Sequence, residues 1–167
     1  TTCPIKVHQI RTNWYPSEDA FCGDGTIDYM GMIDDMVHDD VRFDVVFYNM
    51  LSICKGATMV LANRVEYLQK MCEAYKQHGK AICLSGQGKS KKAKEDRRQA
   101  LELLNDGNLD AIFATYQLAK EGLDVPNLRY VVLATPEKDE TTVIQSVGRV
   151  GRKADGKEYG TVLDFVD

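Results

Sequence analysis

The hydrophobic pattern changes character near residue 55. Downstream, short unbroken apolar runs alternate with longer amphipathic stretches. Ala57 to Ala62, Ala81 to Leu84, Ala111 to Thr115, Tyr130 to Thr135 and Thr161 to Val166 are such runs, the pattern of strands buried on both faces. Between them Val65, Leu68, Cys72 and Tyr75 recur at helical spacing, with Gly79 beyond the predicted end. Ala93, Ala100, Leu101 and Leu104 line one side of a charged helix predicted over Lys91–Asn105 and closed by Asp106-Gly107, and another helix is predicted from about Glu140 to Val150. Strand and helix alternating through short connections predict an α/β fold, a parallel sheet with helices on both faces in three α/β/α layers. Chemistry in such sheets gathers at the carboxyl ends of the strands. Asn63, Ser85, Gly86, Thr115 and Thr135 fall there.

Residues 1–54 form a less regular lead-in, expected to pack on the 55–167 core within one structural domain. Ile5 to Trp14 alternates in part and reads as a strand, while Pro16, Gly23 and Gly25 make Tyr15 to Gly25 a loop. A short helix is predicted within Ile27–Val37. A second is capped by Asp39 or Asp40 and runs to about Ile53. Its Val41, Val45, Tyr48 and Ser52 lie on one side and Phe43, Phe47 and Met50 on another, which predicts burial around most of its circumference. Asn63 reads as the N-cap of the helix after the first core strand.

The composition, 44% hydrophobic and 28% charged over 167 residues, is that of an ordinary globular chain. No apolar run approaches membrane-spanning length. The opening Thr1-Thr2-Cys3-Pro4 resembles no signal peptide and is expected of a piece of a longer protein. Net charge is −4, but it is segregated: Asp28, Asp34, Asp35, Asp39, Asp40 and Asp44 crowd the first third, and Lys89, Lys91, Lys92, Lys94, Arg97 and Arg98 one later stretch. A local basic face can hold phosphates on an acidic chain. Cysteines 3, 22, 54, 72 and 83 are odd in number and unpaired in spacing, which suits reduced thiols and an intracellular setting; neither they nor His8, His38 and His78 show metal-ligand spacing.

Two stretches carry candidate chemistry. In Gln145-Ser-Val-Gly-Arg149-Val-Gly-Arg152 two arginines three apart are predicted on one face of a helical turn, with glycines beside them. Planar guanidinium forks suit bidentate recognition of phosphate oxygens; the plainer alternative is a solvated helix end. Gly86-Gln-Gly-Lys89-Ser90 follows a strand and precedes a helix, as a phosphate-binding P-loop does. That loop needs G-x-x-x-x-G-K-[ST], and Cys83 stands where its first glycine belongs. A turn, or a phosphate-holding helix start, remains open for this stretch.

Taken in order, the motifs from about Lys55 onward resemble those of the second RecA-like (C-terminal) domain of superfamily 2 helicases and translocases. Thr58 to Asn63 resembles the fourth helicase motif. Leu84-Ser85-Gly86, then Arg97, then Leu104-Asn105-Asp106-Gly107 is similar to the stretch written L-x-G…R…F-x-x-G, with Leu104 replacing the usual aromatic. Ala114-Thr115 with Glu121-Gly-Leu-Asp124-Val-Pro126 resembles the fifth motif, and Gln145-x-x-Gly148-Arg149-x-x-Arg152 the sixth. Glutamine at 145, where DEAD-box RNA helicases carry histidine, brings the chain nearer the DNA-repair and phage-type branches.

The resemblance implies an ATP-dependent nucleic-acid motor. Arg149 and Arg152 would serve as arginine fingers on ATP, with Gly122, Asp124 and Gln145 as further nucleotide contacts. Asn63, Ser85, Gly86 and Thr115 would hold a nucleic-acid backbone, DNA favoured over RNA. ATP and Mg2+ would be held mainly by an N-terminal RecA-like domain, so these 167 residues alone are expected to be inactive. The alternative is a non-catalytic nucleic-acid or protein-binding module on the same fold.

Overall fold

The computed structural model describes residues 2–84 and 90–167. Six strands form one all-parallel sheet: β1 (Ile5–Arg11), β2 (Thr58–Ala62), β3 (Ala81–Cys83), β4 (Ala111–Thr115), β5 (Tyr130–Leu133) and β6 (Gly160–Val166), in the order β1-β6-β5-β2-β4-β3. The helices are α1 (Tyr29–Val37), α2 (Asp40–Ile53), α3 (Val65–Tyr75), α4 (Lys91–Asn105), α5 (Tyr116–Lys120) and α6 (Glu140–Gly148). No helix among the described residues is long and apolar enough to cross a membrane.

The α/β class follows from the buried strands. All five residues of β2 are buried, and they alternate between layers. Val60 and Ala62 join Phe43, Phe47, Leu68 and Met71 beneath α2 and α3; Met59 and Leu61 join Leu104, Leu118 and Leu123 on the opposite face. Each fully buried large apolar side chain contributes about 1.5–3 kcal/mol, so a strand feeding two layers is fixed in register. β1, the edge strand, is exposed except at half-buried Ile10, and parallel pairing with β6 from Ile5↔Gly160 to Arg11↔Val166 holds it.

α2 differs from its predicted packing. Asp39 caps it, accepting from the Arg42 backbone N–H at 2.8 Å. The side bearing Val41 and Tyr48 faces solvent, 74% and 61% exposed, while Arg42 is buried beside Phe43, Val46, Phe47 and Met50. The reason is distant in sequence. Arg42 donates through Nε and Nη2 to the Asp167 carboxylate at 2.8 and 3.0 Å, and through Nη1 to the Ala134 carbonyl at 2.8 Å. A guanidinium with its donors engaged can occupy a core position that a helical pattern reserves for apolar residues.

Candidate functional site

The predicted helix through Val150 ends earlier. α6 stops at Gly148, a 3-10 turn follows over Arg149–Gly151, and Arg152 leaves in an extended conformation. Tertiary contacts impose the tightening. The Gly151 carbonyl accepts from the Cys3 N–H at 2.9 Å, and a Cβ at Gly151 would lie 2.8 Å from Ile5 Cδ1. The two arginines therefore do not share one α-helical face, yet both reach one segment. Arg149 Nη2 donates to the Ala119 carbonyl at 3.3 Å, at the end of α5, and Arg152 pairs with Asp124 in the loop beyond. Gly122, between these anchors, has φ +106°, a left-handed conformation that favours glycine. Gly122, Asp124, Arg149 and Arg152 thus come together, and Gln145 lies exposed on α6, one turn before Arg149.

The electrostatics of the cluster are unbalanced. Arg149 is half-buried, and its Nε is buried without a hydrogen-bond partner. An unpaired guanidinium N–H is costly in isolation and would favour an anionic oxygen, but one reaches this enclosed Nε only if the Arg149 side chain turns outward. The Arg152–Asp124 pair is about half exposed on both sides, 49% and 59%, and hence open to exchange.

A cleft of about 390 Å³ lies beside it at the carboxyl ends of β2 and β4, lined by Asn63, Thr115, Lys120, Glu121, Glu137 and Asp139 among others. Thr115 ends β4 and caps α5, its Oγ1 accepting from the Leu118 N–H at 3.2 Å, so its O–H remains available to donate. Asn63 does not cap α3; Arg64 holds that position without a side-chain cap bond. Asn63 spans the sheet end instead. Its Nδ2 donates to Tyr29 Oη at 3.1 Å and to the Pro136 carbonyl at 2.8 Å, while its Oδ1 accepts from Thr135 Oγ1. Tyr29 Oη donates to the same Pro136 carbonyl at 2.8 Å. A local cap was the sequence's simplest use for Asn63, and a partner from residue 29 carries no local signal.

Ser85 and Gly86 lie outside the described residues, as does most of the P-loop look-alike; β3 ends at Cys83, and Ser90 caps α4 by accepting from Ala93 N–H at 3.1 Å. Lys91, Lys92 and Lys94 are exposed at the start of that helix. A larger cavity, about 590 Å³, opens at the amino ends of the strands, lined by Lys55, Asp106, Asn127, Arg129 and Tyr159 among others; it takes in the Leu104–Gly107 motif stretch but none of the residues predicted to contact nucleotide or nucleic acid. The five cysteines are free thiols. Burial pushes Cys54 up to about 12 and Cys72 up to about 11, so both are protonated near neutrality.

Residues 43–154 match the helicase conserved C-terminal domain. A putative helicase of Sulfolobus islandicus filamentous virus is 35% identical over 108 residues, 65% of this chain and 19% of that protein. The ATP-dependent DNA helicase uvsW of phage T4 is 38% identical over 73 residues, 44% of this chain and 14% of the relative. The chain thus spans a fifth or less of the length of these relatives. In structure, T4 UvsW superposes with TM-score 0.70 at 25% identity, covering 100% of this chain and 33% of that one. The yeast DEAD-box splicing factor Prp28, at 21% identity and TM-score 0.66 over 100% of this chain and 30% of its own, shares the fold. With its six-stranded parallel sheet and motif order, the chain belongs to the helicase conserved C-terminal domain family, as the second RecA-like domain of a superfamily 2 helicase.

Proposed function

We propose that this chain is the C-terminal half of an ATP-dependent nucleic-acid helicase or translocase, placing Arg149 and Arg152 on ATP bound at an interface with an N-terminal RecA-like domain. The observation that carries the reading is the unpartnered Nε of Arg149 beside an exchangeable Arg152–Asp124 pair. Mg2+-bound ATP, held mainly by the N-terminal domain, supplies the phosphoryl group transferred to water. Arg152 exchanges the Asp124 carboxylate for a γ-phosphate oxygen, and Arg149 turns outward to donate through its otherwise enclosed Nε. Together they stabilise charge spreading over the phosphoryl oxygens, a contribution of about 10³–10⁵ in rate for an arginine finger. Gly122 and Asp124 face the nucleotide, and Gln145 faces the partner domain.

Thr115 donates its free O–H to a nucleic-acid phosphate, and Asn63 joins it by giving up one of its amide bonds. Ser85 and Gly86 are assigned beside them from their sequence motif alone. Exposed Lys91, Lys92 and Lys94 add a sequence-independent attraction for the backbone. DNA is favoured, on the likeness to a phage DNA helicase and on Gln145.

In the full-length protein, Arg152→Ala is expected to lower nucleic-acid-stimulated ATP hydrolysis by about 10³-fold or more with the fold intact by circular dichroism. Unchanged turnover would refute the finger assignment of Arg152, whereas a full-length protein that binds nucleic acid but does not hydrolyse ATP would favour the non-catalytic binding module. The isolated 167 residues are expected not to hydrolyse ATP, and hydrolysis abolished by changing Lys89 would reverse that expectation.

A further inference from the structure

Lys157 is a buried cation outside every motif above. It is 6% exposed, and among the described residues no carboxylate pairs with it. Its Nζ donates to the Arg152 carbonyl at 2.6 Å and to the Pro126 carbonyl at 3.4 Å. Pro126 closes the loop that begins at Gly122 and carries Asp124. The ammonium therefore ties the backbone of Arg152 to the loop whose carboxylate its side chain holds. Burial lowers the Lys157 pKa; Cys3 opposes this, and the nearby Arg129 and Arg152 charges act with it.

Fold stability gives little reason for an ammonium here. Removing a charge from water is costly, and an apolar side chain of similar length would fill the space without that cost. What lysine adds is directional donation to two carbonyls, one of them Arg152's own. The rest of the turn is constrained in the same manner. The Gly151 carbonyl is taken by Cys3 N–H, and Gly160 lies so close to the Val150 carbonyl that no side chain fits between them. The carbonyls of three successive residues are thus fixed from outside the turn; Lys157 supplies the charged, shortest contact to the last, where Cys3 Sγ also donates at 3.5 Å and Thr2 bridges the Arg152 backbone.

We infer that Lys157 is a positioning residue for Arg152, setting the approach of that guanidinium by fixing its backbone against the Gly122–Pro126 loop. This rests on the arginine-finger reading above. Displacing a reacting group by about 1 Å can cost about 10²-fold in rate, so loss of the tether shows in turnover.

The test is a mutant cycle in the full-length protein, with ATP hydrolysis measured at saturating nucleic acid well below the unfolding midpoint. Lys157→Met is expected to lower kcat at least about tenfold while KM for ATP stays within about twofold, since the contact acts through geometry at the reacting phosphate. In an Arg152→Ala background the same substitution is expected to cost less than about twofold, because its target is gone. Should Lys157→Met not fold, Lys157→Leu, which likewise donates nothing, carries the same comparison. A folded Lys157 variant with wild-type kcat, or one losing as much in the Arg152→Ala background as in wild type, overturns the proposal alone. If Arg152→Ala itself turns over normally, the finger reading falls, and the positioning role falls with it.

Discussion

Arg42→Met tests whether the lead-in is held to the sheet by a buried ion pair. The Arg42 side chain is fully buried and that of Asp167 is 14% exposed. Three charge-assisted hydrogen bonds leave the guanidinium, two to Asp167 and one to the Ala134 carbonyl. Methionine fills much of the volume but donates nothing, leaving a largely buried carboxylate without its cation. Removing one partner of a buried pair costs about 3–5 kcal/mol. Asp167 keeps some exposure and the Thr12 hydroxyl as a donor, which puts the loss near the lower limit, about 3 kcal/mol. For a chain of this length that corresponds to a fall in Tm of about 6–12 °C. Urea unfolding gives the assay, followed by circular dichroism and by fluorescence of Trp14, the chain's single tryptophan, buried with Ile33 and Met36. Coincident transitions license the two-state treatment. Arg42→Met/Asp167→Leu removes both charges and is expected to recover most of the loss, because well-packed apolar pairs replace buried ion pairs at little cost. A single-variant loss below about 1 kcal/mol, the scale of an exposed pair, would show that water screens the contact and that the sheet end is not latched by it.

Four further substitutions probe the site and core. Gly160→Ala would drive a Cβ into the Val150 carbonyl, between the two arginines, and is expected to cost about 1–3 kcal/mol; an unchanged urea midpoint would refute the close approach. Tyr29→Phe removes the hydroxyl that joins Asn63 to Pro136 and is expected to cost about 1–2 kcal/mol, with faster exchange of the Asn63 side-chain amide protons by NMR. Wild-type exchange would mean that the amide is held without Tyr29. Cys54 and Cys72 predict alkaline destabilisation. Their folded pKa values, about 12 and about 11, exceed the ordinary 9.0, so their contribution is complete below pH 9 and lost as pH rises toward those values. Each thiol adds a slope approaching about 1.4 kcal/mol per pH unit, which Cys54→Ala or Cys72→Ala should remove; equal wild-type stability at pH 8 and pH 10 would contradict it.

The parallel sheet was legible because buried strands such as Ala111–Thr115 are apolar up to their last residue, and α4 because Ala100 and Leu104 recur along an otherwise charged helix. The arginine pair was legible as residue type and spacing. Its geometry was not: the 3-10 turn depends on Cys3, Ile5 and Gly160, none adjacent in sequence. α2 misled for the same reason. Its apolar residues do surround the helix, but the choice of buried side turned on Arg42 finding Asp167, 125 positions away. Lys157, within Ala154-Asp-Gly-Lys-Glu-Tyr, reads as a solvated loop, and only the fold sets it between two carbonyls.

These long-range partners share a destination. Arg42 takes the Ala134 carbonyl, Tyr116 Oη the Thr135 carbonyl at 2.6 Å, and Tyr29 and Asn63 the Pro136 carbonyl. Residues 134–136 connect β5 to the stretch that becomes α6 and ends at the arginines. Three consecutive carbonyls are thus held by side chains from α1, α2, α5 and the end of β2. The Arg149–Gly151 turn, at the far end of that helix, is held in turn by Cys3 and Gly160. An element pinned at both ends moves with the sheet rather than against it. On the arginine-finger reading proposed above, α6 would then deliver Arg149 and Arg152 to a phosphate as part of a rigid-body approach of the whole domain. The local adjustments left to it are the Arg152 side chain leaving Asp124, the pair that is half exposed, and the Arg149 side chain turning its buried Nε outward. Lead-in residues without a helicase motif, Cys3, Tyr29 and Arg42 among them, are therefore where substitutions would loosen that approach while leaving every phosphate-facing group chemically intact.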